Sequence, residues 1–160
     1  MGNMDTFQIQ VLKLADEESI GQAEETVILV NGRDLVDILH EYELPMAVRE
    51  GSPSIAGGYM GLPPEYVLPP SKHFLGEPDR DMYDIHGKVQ VLECECGEPG
   101  CWPFLVKITV GEDRVTWSDF EQPHRREDHP GGGWSYSGLG PFTFDREQYL
   151  RALEDASAQK

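Results

Sequence analysis

The chain has 160 residues, 39% of them apolar, and a formal net charge of −16 at pH 7. That length and apolar share suit a single domain with a real core and exclude global disorder. The acids are spread along the chain, a field that disfavours general nucleic-acid or anionic-membrane binding; it favours solubility, and with it a basic protein partner or a cation.

Three cysteines are an odd number, which argues against a fully paired disulfide framework. Met1-Gly2-Asn3-Met4-Asp5 lacks the basic start and apolar run of a signal peptide, and no stretch is long and apolar enough for a membrane span. The cytoplasm, where thiols stay reduced, is the expected compartment.

From Thr6 to Leu14, alternation at Phe7, Ile9 and Val11 predicts a half-buried strand, with Leu12 and Leu14 out of phase and a bulge or twist expected there. Ala15 to Glu25 reads as an acidic loop. Thr26 to Val30 is a short apolar run suited to a central strand, and Asn31-Gly32 signals a turn. Asp34 is placed to cap a helix with Leu35, Ile38, Leu39 and Tyr42 on its apolar face and Pro45 as its end. That helix reads as core packing.

From Pro45 to about Arg80 there is no periodicity, only prolines and glycines mixed with apolar residues such as Tyr59, Leu62, Val67 and Phe74. A segment of this length without regular structure is expected either to wrap over the core in extended form or to cover a partner subunit, as in a homodimer. A β-meander follows: Lys88 to Cys96, then the strictly alternating Trp102, Phe104, Val106, Ile108 and Val110, then Val115 with Trp117 beyond the Gly111-Glu112-Asp113 turn. Gln122 to Gly140 is a polar, Gly-rich loop. Phe142 to Phe144 suggests a brief strand, and Asp145 caps a last helix with Gln148 as its capping-box partner.

All three cysteines fall within Cys94-Glu95-Cys96-Gly97-Glu98-Pro99-Gly100-Cys101. Three thiolates on one hairpin supply three zinc ligands, with His124, His86 or His129 as a fourth. Against this, one residue rather than two separates Cys94 from Cys96, and no histidine follows Cys101 at the spacing of a CxC…CxH finger. Packing beneath Trp102 and a redox pair stay open as alternatives, the latter opposed by Glu93, Glu95 and Glu98, which raise thiol pKa values.

The second candidate is the loop after the meander. His124 is placed to act as a base oriented by Asp119 or Glu121, and Arg125 and Arg126 to grip a carboxylate or phosphate. His129, Trp134 and Tyr136 complete a candidate ligand or partner surface on a loop held by a sheet. No phosphate-loop, nucleophile-elbow or HExxH motif is present.

The run Leu92-Glu93-Cys94-Glu95-Cys96-Gly97-Glu98-Pro99-Gly100-Cys101-Trp102-Pro103, with Val115-Thr116-Trp117-Ser118-Asp119-Phe120, Gln122-Pro123-His124-Arg125 and the closing Gly140 to Asp145, resembles a family of uncharacterised bacterial proteins. The resemblance implies that the hairpin and the Pro-His-Arg loop act as one unit, and names no ligand. The expectation is therefore a single α+β domain, an antiparallel sheet with one internal and one C-terminal helix. Its expected role is a non-catalytic binding module with an acidic surface toward a basic protein partner, by analogy with inhibitor and immunity proteins. The alternative is a small metal-dependent or acid-base enzyme using the cysteines and His124.

Overall fold

The computed structural model describes residues 4–14, 24–96, 101–126, 129 and 133–159. β1 (Phe7–Lys13) pairs antiparallel with β2 (Glu24–Val30) in unbroken register from Phe7 opposite Val30 to Lys13 opposite Glu24. Of the expected bulge or twist, no bulge interrupts this register: Phe7 and Ile9 are buried and Leu12 faces water. Most of the expected acidic loop, 15–23, lies outside the described residues, and its last two positions, Glu24 and Glu25, already belong to β2. β2 is the middle strand of its sheet, yet only Thr26, Ile28 and Val30 are fully buried, so it is covered mainly on one face. Asn31 (φ 54) and Gly32 (φ 80) turn the chain into β3 (Arg33–Asp34), both in the left-handed region that a tight hairpin turn requires.

Asp34 caps α1 (Leu35–Glu50), accepting from the Val36 N–H at 2.9 Å. Pro45 does not end this helix, contrary to expectation. The proline is exposed, so the carbonyl it deprives of a donor can turn to water, while burial of Met46 and Ala47 carries the helix one turn further to Gly51.

The segment expected to lack structure contains β4 (Tyr59–Gly61), a single turn α2 (Pro64–Val67) and three 3-10 turns at Pro53–Ile55, His73–Leu75 and Asp81–Tyr83. It buries Tyr59, Leu62, Val67, Leu68 and Phe74 against its own core, with Tyr83 just beyond it, but in a series of short turns rather than in extended form. Local periodicity is absent because each short piece takes its partners from elsewhere in the fold.

The second sheet adds β5 (Asp84–Ile85), β6 (Lys88–Cys94), β7 (Phe104–Val110), β8 (Arg114–Glu121) and β9 (Phe142–Asp145). Its order is β4-β6-β7-β8-β9, all antiparallel, with β5 also pairing β6. β6 ends at Cys94, leaving Cys96 in a turn, and β7 begins at Phe104, leaving Trp102 outside the strand. The expected one-face alternation also fails at the start of β7, where Phe104, Leu105 and Val106 are all buried. Both faces are covered there, and the register shifts on both sides of the strand.

α3 (Arg146–Ser157) is capped by Asp145, which accepts from the Gln148 N–H at 3.0 Å. The Gln148 side chain does not complete a capping box. It clamps β1 instead, accepting from the Phe7 N–H at 3.0 Å and donating to the Phe7 carbonyl. Phe7 in turn meets Tyr149, Phe144 and Trp117 with ring centroids 4.3, 5.3 and 5.6 Å away, the aromatic centre of the core. The fold is α+β, and no described helix is long and apolar enough to cross a membrane.

The two sheets are stitched at both edges. The Asp5 N–H donates to the Thr143 carbonyl of β9 at 2.8 Å, and the Thr26 N–H donates to the Leu62 carbonyl just after β4 at 3.0 Å. At the second seam a side chain on Gly61 would place its Cβ 1.6 Å from the Thr26 carbonyl oxygen. Backbone cannot yield as a flexible side chain can. Gly61→Ala is therefore expected to lower stability by about 3 kcal/mol or more in urea denaturation, against about 1–2 kcal/mol for Gly32→Ala, where only backbone strain arises.

Candidate functional site: the cysteine turn and the adjoining cleft

Cys94 closes β6, Cys96 lies in the turn after it, and Cys101 returns immediately before Trp102. The three Sγ atoms lie within 4.8 Å of one another, and no imidazole or carboxylate of the described residues joins them. The Cys96 N–H donates to Cys94 Sγ at 3.5 Å. Burial, followed by the neighbouring Cys96 and Cys101 thiols, pushes the Cys94 thiol up to about 12. A reactive thiolate is the opposite of this, so the redox reading loses ground, and three soft donors this close could together hold a metal ion.

Trp102 couples this turn to the loop after β8. His124 stacks on it with an interplanar angle of 12° and centroids 5.9 Å apart, Trp134 meets it edge-on at 6.0 Å, and the Arg125 guanidinium lies 5.0 Å from its ring centre. Pro123–Arg125 forms a 3-10 turn, whose first free N–H, that of His124, is taken by the Gln122 side-chain oxygen at 3.1 Å. The Gln122 amide nitrogen donates to the Pro103 carbonyl at 3.0 Å and to the Tyr59 hydroxyl at 3.1 Å, so one buried glutamine registers the loop against β4 and the start of β7.

Most of the residues expected to bind a partner hold the loop itself. Arg125 does grip a carboxylate with both arms, at 2.9 and 2.8 Å, but the carboxylate is Glu50 at the end of α1. The Trp134 indole N–H donates to the same group at 3.0 Å, and these bonds, Arg125 first, hold the Glu50 carboxyl below its usual range. Tyr136 donates to Glu43 at 2.6 Å. The His129 N–H closes the loop on the Arg126 carbonyl at 2.9 Å.

Glu43 itself is fully buried on α1, where Tyr59 also donates to it at 2.7 Å and the Gly57 N–H at 2.9 Å. Burial raises its carboxyl although all three bonds oppose the shift. The sequence carried a signal for this residue: it stands four after Leu39 and three before Met46, on the apolar face of the helix.

The proposed acid-base trio is not gathered. Glu121 receives His86 Nδ1 and Lys88 Nζ, each at 2.9 Å. Burial alone would raise its carboxyl, but Lys88 and His86 bring it below the usual value. Asp119 is exposed on a left-handed backbone (φ 52), and His124 lies on Trp102, outside the cysteine set. Arg126 is exposed beside His86, its Nη1 3.1 and 3.3 Å from the two ring nitrogens. Between the end of β8 and residues 133–141 a cleft of about 760 Å³ opens, with Lys88, Asp119 and Arg126 among its lining residues.

One buried acid beside the cysteines was not anticipated. Glu93 is 3% exposed, its Oε1 has no hydrogen-bond partner, and burial, then the charge of Glu25, raises its carboxyl to about 7. Strand alternation sets it on the face opposite Leu92 and Cys94; Met60 of β4 stands beside it in the sheet, and Glu25 of β2 lies close enough for its charge to act on it.

No family model, curated protein or solved structure matches the chain. The family resemblance thus rests on its quoted residues alone.

Two consequences can be measured. Arg125→Ala should destabilise the fold by about 1–2 kcal/mol in chemical denaturation, because it strips a partly buried carboxylate of its bidentate partner. Glu93 binds its proton more tightly folded than unfolded, so its contribution to stability is whole below about pH 4.5 and is lost as pH rises to about 7. Relative to Glu93→Gln, the native chain should lose on the order of 3 kcal/mol across that window. Parallel stability curves for the two proteins would contradict the assignment.

Proposed function

We propose that this protein is a non-catalytic binding module in which Cys94, Cys96 and Cys101 hold one thiophilic metal ion, zinc in the first instance. The observation that carries this reading is the convergence of three sulfur atoms within 4.8 Å. Zinc–sulfur bonds of about 2.3 Å in a tetrahedron set the sulfurs ~3.8 Å apart, which this turn reaches by a small contraction. Three thiolates leave a fourth position for water or for a donor brought by a partner. The ion would fix Cys101, and through the adjacent Trp102 it would brace the loop that carries Arg125 and Trp134.

The acidic surface supports a basic protein as the partner of such a module, since a net charge of −16 accelerates encounter with a cationic surface. An acid-base enzyme draws less support, because Glu121 is engaged by His86 and Lys88 rather than by His124.

Protein purified without added metal or chelator should contain about one zinc per chain by elemental analysis, and Cys101→Ser should lose most of it. Chelation should lower the melting temperature of the native chain and leave that of Cys101→Ser unchanged. Metal-free protein that takes up no zinc on titration would end this reading.

A further inference from the structure

The cleft beside residues 133–141 has a charge pattern that the rest of the chain does not lead one to expect. Acids outnumber bases 29 to 13 overall, yet Lys88, Arg125 and Arg126 all line this one cleft, against the lining carboxylates Asp119 and Glu121. Arg125 is neutralised by Glu50. Lys88 and Arg126 share Glu121, and they share it unequally.

The two Glu121 oxygens are taken at 2.9 Å by Lys88 and His86, while Arg126 approaches no nearer than 3.8 Å. The Arg126 Nη1 leans on the His86 ring, and the other nitrogens of its fork have no partner among the described residues. Its side chain is 52% exposed. With Lys88 and His86 on both of its oxygens, Glu121 holds Arg126 only at a distance, and the guanidinium, the group best shaped for a planar oxyanion, keeps donors that no described residue uses.

We infer that this cleft binds a small organic monocarboxylate, with the carboxylate on Arg126 and the organic part against Phe120, Trp134, Leu139 and Pro141. The size, about 760 Å³, is that of a small-molecule site, and the lining sets the apolar Phe120, Trp134, Leu139 and Pro141 beside charged and hydroxyl side chains. Two features select one negative charge over several. The field of a chain at −16 repels a phosphate dianion more than a carboxylate, and Asp119, exposed on the lining without a partner among the described residues, repels a second charge at close range. The inference does not depend on a metal at the cysteines, and its test reads a different part of the molecule.

The test is a titration of the full ¹⁵N-labelled chain with phenylacetate, followed by amide chemical shifts, with inorganic phosphate and phenethylamine titrated in parallel. Saturable shifts confined to Ser118–Gln122 and Gly133–Gly140 are expected for phenylacetate, and at least about tenfold weaker binding for Arg126→Gln, a side chain exposed enough to replace without loss of fold. The retained dispersion of the Arg126→Gln spectrum confirms its fold. Absence of saturable shifts, binding of phosphate or phenethylamine as strong as that of phenylacetate, or an Arg126→Gln protein with undiminished affinity would overturn the inference.

Discussion

A carboxyl group with no access to water must be met by donors, and Glu43 is met by three: the Tyr59 and Tyr136 hydroxyls and the Gly57 N–H. Those donors come from β4, from the loop after β8 and from the turn that follows α1. Leaving such a group unmet costs about 1–3 kcal/mol per lost bond, more when it is charged, so the three segments are held to positions that satisfy it. Gln122 extends the network through Tyr59 to the start of β7. The wall of the cleft that includes Tyr136 stands where it does because Glu43 is buried.

The cysteine turn is attached to this frame through one side chain. Trp102 touches His124, Trp134 and Arg125, contacts worth about 0.5–1.5 kcal/mol each beyond the area they bury. Together they hold the tryptophan modestly. A structural zinc contributes an apparent ~10–16 kcal/mol in small metal-folded peptides, far above that sum. Occupancy of the three thiols would thus decide how firmly the tip is placed, and packing would only choose its direction.

What could be read in advance followed from how near in sequence the partners lie. Strand alternation at Phe7 and Ile9, the Asn31-Gly32 turn and the Asp34 and Asp145 caps are local, and the structure keeps each of them. The cysteines were legible as a cluster because eight positions contain all three. Pro45 misled because its exposed position makes the lost hydrogen bond cheap and the buried turn beyond it valuable. Gln148 misled because a helix end was judged apart from β1, with which it bonds across 141 residues. The Arg125–Glu50 fork and the Tyr136–Glu43 bond span 75 and 93 residues, and no spacing rule reaches that far. Arginine on a polar loop and glutamate on a helix each look solvated until the fold brings them together.

The aromatic centre and the candidate sites lie at different ends of one hydrophobic core. The rings of Phe7, Trp117, Phe144 and Tyr149 pack where α3 crosses β1, β8 and β9, and they contain the indole-to-hydroxyl bond from Trp117 to Tyr149 at 3.1 Å. The cysteine turn and the loops lie beyond the other ends of β6 and β8, where the polar network joins apolar packing by Phe104, Phe120, Trp134 and Tyr136. Polar networks specify position at little net gain in stability, whereas the aromatic centre stabilises through the apolar area it buries. A site built on the network can therefore vary its exposed members, Arg126 and His124 among them, without touching the part of the core that keeps the chain folded.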